Sequence, residues 1–176
     1  MQNIDDLTFI SENHRDDLKN YRSPSLYIVE KDYSILTLRL LKLTPIGLEY
    51  FTSFYIHHNS NFYYKSQDIV EGCDSPKNFY IKILNDSEYL TQMIKNYSES
   101  VELIEDKLFT HTNLRSLNSE IFNLKKDLLK IRRVIERLSI ALSEYYKREE
   151  SLFLGIEHSF KEIITDSEVD LRVTIA

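Results

Sequence analysis

LNSEIFNLKKDLLKIRRVIERLSIALSEYY, residues 117–146, is the most regular part of the chain. Apolar residues fall at 114, 117, 121, 124, 128, 131, 135, 138, 142 and 145, in steps of three and four over nearly five heptads. That spacing puts them on one stripe of an α-helix. Leu114, Ile121, Leu128, Ile135 and Leu142 fill one seam position, and Leu117, Leu124, Ile131, Leu138 and Tyr145 fill the other. A helix from 113 to 147 is about 50 Å long at 1.5 Å per residue. A seam so sustained packs lengthwise along another long helix, within one chain or between chains.

The nearest partner lies upstream. Leu90, Ile94, Tyr97, Val101, Ile104 and Leu108 form a second stripe, and Asn85 with Glu88 reads as a capping box at its start. Thr110-His111-Thr112-Asn113 breaks the pattern with capping residues, which predicts an antiparallel helical hairpin from about 86 to 147. Before it, LYIV (26–29) and SILTLRLL (34–41) read as strands. LEYFTSFYIHHNSNFYYK (48–65) reads as a hairpin turning at His58-Asn59-Ser60-Asn61. SQDIVEGCDSPK (66–77) has the composition of a loop, and Ser75-Pro76 suits an N-cap and first helical position. FYIKIL (79–84) fits that helix or a strand. Residues 1–24 are polar and acidic with a weak amphipathic pattern. A third, weaker helical pattern (about 148–165) is interrupted by Gly155, and the tail LRVTIA has no assigned place. The expected fold is therefore α+β: a small mixed β-sheet from 25–66 flanked by helices, with a long antiparallel helical hairpin. Residues 1–84 form the N-terminal α/β part, and 85–176 the hairpin and a C-terminal helical tail.

Composition narrows the function. The chain has 176 residues, 42% apolar and 28% charged, which suits one globular domain and excludes disorder. Its net charge of −6 disfavours broad nucleic-acid binding, which requires positive surface, and suits divalent cations or basic partners. Cys73 is the only cysteine, which excludes an intrachain disulfide and a thiolate-rich zinc site. The N-terminus lacks the basic and apolar regions of a signal peptide, and no run of 18 apolar residues spans a membrane.

No catalytic constellation can be assembled. His57 and His58 are adjacent on a strand and point to opposite faces, so they cannot chelate one ion together. Three glycines (Gly47, Gly72, Gly155) allow no phosphate-cradling loop. Cys73 reads as a plain loop or core thiol. The chain is thus expected to be no enzyme, with no catalytic or cofactor-binding residues and with metal ligands unassigned. Two charged stretches remain. Lys125, Lys126, Lys130, Arg132, Arg133 and Arg137 stand against Asp127 and Glu136 and leave the rest of the chain at −10. They form a solvated face that would attract anions, or that pairs with Glu99, Glu102, Glu105 and Asp106 on the preceding helix. That acidic run could itself present oxygens to a hard cation such as Mg²⁺, or be a solvated helix face.

EIFNLKKDLLKIRRVIERL (120–138), with Arg132-Arg133 at its centre, resembles the long-helix motif of the CorA-like divalent cation transporters. NYSESVELIEDKLF (96–109) resembles the helix preceding it, and ENHRDDLKNY leading into YSILTLRLL resembles the family's Asn-x-x-His segment and strand. EYFTSFYIHHNSNFYY is similar to its edge hairpin; in order, these pieces cover roughly residues 10–147. The family's Gly-Met-Asn sequence, its two membrane helices and its stalk helix are missing, so the resemblance is to the cytoplasmic domain only. It implies a cytosolic regulatory, ion-sensing domain of a magnesium/cobalt (or zinc) transporter that does not transport by itself. It further implies Mg²⁺ or another divalent cation as ligand, and self-association, a pentamer in the full-length protein. Nucleic acid would be no partner, and the membrane would be met only through the missing C-terminal helices. The chain itself would be soluble, at the cytoplasmic face of the inner membrane. The alternative is a structural module that binds a partner helix through the 114–145 seam.

Overall fold

The computed structural model describes residues 3–45, 47–66, 69–109 and 114–149. A 3-10 turn (Ile4–Asp6) and helix α1 (Glu12–Lys19) precede strands β1 (Leu26–Val29), β2 (Tyr33–Thr44), β3 (Gly47–His58), β4 (Asn61–Ser66) and β5 (Ile69–Cys73). Two long helices follow, α2 (Pro76–Phe109) and α3 (Leu114–Glu149). The fold is α+β, as the patterns predict, and the α2–α3 hairpin is present. The expected break at 110–113, the weak pattern beyond Glu149 and the LRVTIA tail lie outside the described residues.

The sheet is a five-stranded meander in the order β1-β2-β3-β4-β5, and every neighbouring pair is antiparallel. This corrects the expected mixed sheet. Consecutive strands joined by tight turns can only pair antiparallel, because a parallel pair needs a long crossover. β2 and β3 pair along their whole lengths, from Tyr33↔His58 to Thr44↔Gly47. Gly47, at φ +117°, takes the conformation that a side chain would resist at the start of β3. At the other end Asn59, at φ 55°, supplies the left-handed residue of the two-residue β3–β4 turn. β5 corrects the loop reading of 66–77: Phe62↔Cys73 to Ser66↔Ile69 place it on the edge.

Both faces of the sheet are covered, which is why β2 reads as an almost unbroken apolar run. On one face Leu36, Leu38, Leu40, Tyr55 and Phe62 meet Phe79, Ile83, Leu90 and Ile94 of α2 and Ile131, Ile135, Leu138 and Leu142 of α3. On the other, Ile35, Phe54, Ile56 and Val70 are closed over by Ile4, Leu7, Ile10 and Leu18. The polar N-terminal segment therefore contributes a second core through a few apolar side chains. Its local structure is capped: Asn3 and Asp6 form a reciprocal box on the 3-10 turn, and Ser11 Oγ accepts from the His14 N–H at 3.4 Å.

Helix α2 begins at Pro76, where Ser75 Oγ accepts from the Asn78 N–H at 3.2 Å. The Ser75-Pro76 signal thus sets the start, and FYIKIL is helical. Asn85 and Glu88 lie inside the helix as exposed residues, so the expected capping box is not the start, and position 85 falls within α2. Phe79, Tyr80 and Ile83 are buried in the sheet-facing core, which gives tertiary packing the decision over the short ambiguous run.

Candidate functional site

The α2–α3 hairpin brings together the two charged stretches, and they behave differently from their simplest pairing. Lys125, Lys126, Arg132, Arg133 and Arg137 are exposed on α3; Lys130 is half-buried. The ion pairs they make stay on α3: Lys130–Asp127 at 3.3 Å and Arg132–Glu136 at 2.8 Å. Among the described residues Glu99, Glu102 and Glu105 form no ion pair with this face. Links that do cross between the helices include Lys107–Glu120 at 2.6 Å and the Tyr97 hydroxyl, which donates to Asp127 Oδ2 at 3.0 Å. Burial, followed by the Asp127 carboxylate, holds the Tyr97 phenol well above its ordinary range. Between the outer halves of the helices runs an apolar groove of about 400 Å³, lined by Val101, Ile104, Leu108, Ile121, Leu124 and Leu128.

At the other end of α3, Glu149 plugs the helix into the sheet. The register sets Ser34 opposite His57 and Tyr27 opposite Leu36, so Tyr27, Ser34 and His57 share the face that α3 covers. The Tyr27 hydroxyl donates to Glu149 Oε1 at 2.6 Å, and the Ser34 hydroxyl donates to the same oxygen at 3.3 Å. His57 Nδ1 lies 3.8 Å from Glu149 Oε2, and both side chains are largely covered (19% and 15% exposed). Burial, and next the hydrogen bond to Glu149, raises the Tyr27 phenol far above its usual value. Tyr145, stacked edge-on against Tyr27 with centroids 5.1 Å apart, is raised by burial too, and burial pushes Tyr80 up to about 12. These phenols stay neutral at any ordinary pH and keep a proton to donate. Sequence patterning missed this cluster because it exists only once the strand register and the end of α3 are both known.

His57 and His58 do point to opposite faces, and both are partly covered. His57 stacks on Phe62 on the helix-hairpin face, whereas His58 stacks on Phe9 on the opposite face, 3.9 Å between centroids. Burial raises the Cys73 thiol, with Lys82 opposing, so the thiolate that a nucleophile would need is disfavoured. Lys65 was not singled out by pattern, yet it is buried under Tyr21 and Phe54, its ammonium 4.6 Å and 5.1 Å from the two ring centroids. A cleft of about 680 Å³ lies where α2 meets β2 and β3, with Lys42, Tyr50, Asp86 and Tyr89 on its walls. Asp86 there is held by the Tyr55 hydroxyl at 2.6 Å. Among the described residues no group of three or more His, Cys, Asp or Glu side chains is placed to hold a metal ion. The acidic run on α2 is spread along the helix and does not converge. Among the described residues no helix is long and apolar enough to cross a membrane.

No protein-family model matches the sequence, and no curated protein matches it. Solved structures do match the fold. The soluble domain of CorA from Methanocaldococcus jannaschii aligns with 98% of this chain and 80% of its own length, at TM-score 0.70 and 12% identity. The cytoplasmic domain of ZntB from Vibrio parahaemolyticus aligns with 98% of this chain and 74% of its own, at TM-score 0.74 and 14% identity. The complete CorA magnesium transporter of M. jannaschii gives TM-score 0.61 at 12% identity, and the chain spans 63% of that protein's length. The chain has the fold of the CorA soluble domain and the ZntB cytoplasmic domain.

Proposed function

We propose that the chain acts as the cytosolic regulatory domain of a CorA-like divalent cation transporter and is not an enzyme. The observation that carries this reading is the likeness to soluble CorA and ZntB domains over 98% of the chain, sheet and long hairpin together. Mg²⁺ and Co²⁺ are the ions the sequence resemblance favours, and the likeness to ZntB keeps Zn²⁺ as the related choice. The domain would self-associate in the full-length protein, as a pentamer, and sit at the cytoplasmic face of the membrane. Divalent ions held between neighbouring copies would offset carboxylate repulsion and favour a closed assembly, and their loss would loosen it.

The test is a titration of Mg²⁺, Co²⁺ and Zn²⁺ against thermal stability and sedimentation. A rise in Tm with growth of a larger species at millimolar ion supports ion sensing. No response to any of the three ions at tens of millimolar would overturn it. The alternative, a scaffold that takes a partner helix along the whole 114–145 seam, loses its lower half: Leu128, Ile131, Ile135, Leu138, Leu142 and Tyr145 are buried within the chain itself.

A further inference from the structure

We propose that a second copy of this chain docks on the outer face of α3 through the outer face of its own α2. The proposal deepens the self-association part of the proposed function and rests on it only for the expectation that copies meet.

Helix α3 carries a second apolar stripe, turned away from the seam. Phe122, Leu129 and Ile140 are 69%, 51% and 55% exposed. Their spacings of seven and eleven residues are about two and three turns, so they lie in line down the helix. Lys125 and Arg132 flank this line on one side, and Lys126, Arg133 and Arg137 on the other. Among the described residues Lys125, Lys126, Arg133 and Arg137 make no ion pair. An apolar line between two basic margins is built to receive an acidic, partly apolar surface.

Such a surface is present on the neighbouring helix of the same molecule. Glu99, Glu102 and Asp106 stand on the outward side of α2 with Leu103, which is 61% exposed. Glu99 and Glu102 make no ion pair among the described residues. Glu99 to Asp106 is the same seven-residue interval as Lys126 to Arg133, about 10 Å along each helix, so the two charge patterns match in length. They cannot meet within one chain, because the seams that join α2 and α3 turn both outer faces away. Between two chains they can, with Leu103 set against the Phe122–Leu129 line.

Charge complementarity selects this occupant over an anionic lipid surface. A bilayer that attracted α3 would repel the acidic face beside it and a chain of net charge −6. A second copy neutralises both faces at once. The contact is heterologous, so each copy offers one face forward and one behind, and repetition gives a ring or an open chain. Its strength is electrostatic in large part and falls as salt rises.

The experiment is sedimentation velocity on the whole chain, in EDTA and in Mg²⁺, at low and high salt. Two variants change only groups that make no ion pair among the described residues: Lys126→Glu with Arg133→Glu, and Glu99→Lys with Glu102→Lys. Each variant alone should associate about tenfold or more weakly than the parent, with its thermal unfolding unchanged. Their equimolar mixture should recover association as mixed pairs, since the reversed faces then match, although strict alternation cannot close an odd-numbered ring. A parent chain that stays monomeric to millimolar concentration, variants that associate as the parent does, or a mixture that fails to recover would each overturn the proposal. So would a parent that floats with phosphatidylserine vesicles and does not self-associate. The EDTA arm separates the two readings: association that is the same in EDTA and in Mg²⁺ counts against the sensing function alone, whereas failure of the charge swap sinks this contact.

Discussion

The lower and upper halves of the α2–α3 hairpin share one 3-4 pattern and end in different environments. In the lower half, Ile131, Ile135, Leu138 and Leu142 are at most 5% exposed, because α3 packs on α2 and on the sheet at once. In the upper half Leu117 is buried at 2% exposure, but Val101, Ile104, Ile121 and Leu124 are only half-buried and Leu108 is 47% exposed, and none of these side chains joins the core formed with the sheet. A heptad seam therefore specifies a line of contact, and a third surface decides how much of that line is a core. Stability should be concentrated below and freedom to bind or adjust above.

The largest expected effect tests that difference directly. Ile131→Ala, at a site with no exposure, should cost about 2–5 kcal/mol, as buried large-to-small changes do. Leu124→Ala, on the same seam, should cost roughly 1 kcal/mol, since much of its surface is already wet. Urea unfolding of both variants settles it; equal costs would mean that the upper half is as tightly closed as the lower.

Next in size is the plug at the base of α3. Glu149→Gln keeps the shape and removes the charge that Tyr27 and Ser34 donate to, and should cost about 2 kcal/mol, in the range for hydrogen bonds to charged groups. The same cluster has a pH signature. Tyr27, Tyr55, Tyr97 and Tyr145 all have phenols raised by burial, so the folded chain holds their protons more tightly than the unfolded one. Stability from these groups is fully present below the unfolded tyrosine pKa of about 10 and is lost as pH rises beyond it. The phenolate absorbance of these four should thus appear in a separate late step, together with unfolding. A single smooth titration would contradict the buried hydrogen bonds.

These contrasts also show what could be read in advance. β1 ends where its apolar run ends, and the Asn59 turn follows from residue type, because both are local. β5 was illegible: Glu71, Gly72 and Cys73 look like a loop, and only pairing with β4 makes them a strand. The start of α2 had two competing signals, Ser75-Pro76 and Asn85 with Glu88, and the burial of Phe79, Tyr80 and Ile83 on the sheet selected the first. The seam was legible and its partner surface was not, since periodicity is one-dimensional. The charged faces were found as patterns, but their intrahelical pairing depends on rotamers that no spacing fixes. The Glu149 cluster joins residues more than a hundred positions apart, and no local pattern carries it.

In the upper half the part-buried tie between Tyr97 and Asp127 is open to a milder test. Tyr97→Phe removes the hydroxyl that reaches Asp127 and keeps the ring, so about 1 kcal/mol should be lost. The loss should appear as faster amide exchange in residues 97–109 and 117–128, with the protection of 131–142 unchanged. Exchange that quickens equally along both helices would show that the hairpin opens as one unit.

The smallest effect belongs to the outer surface of α3. Arg132 and Glu136 are one turn apart, 2.8 Å between charged atoms, and each is more than half exposed. Water screens such a pair, and ordering two long side chains offsets most of the attraction, so exposed pairs at this spacing contribute about 0.3–0.5 kcal/mol. Arg132→Ala should therefore shift the urea midpoint barely beyond error, with alanine's better helix propensity opposing the loss. Its association with a second copy should weaken more than its stability does, because Arg132 borders the Phe122–Leu129 line. If unfolding moved by more than 1 kcal/mol and association did not move, Arg132 would belong to the fold, and the division of the hairpin into a packed face and a binding face would fail at that position.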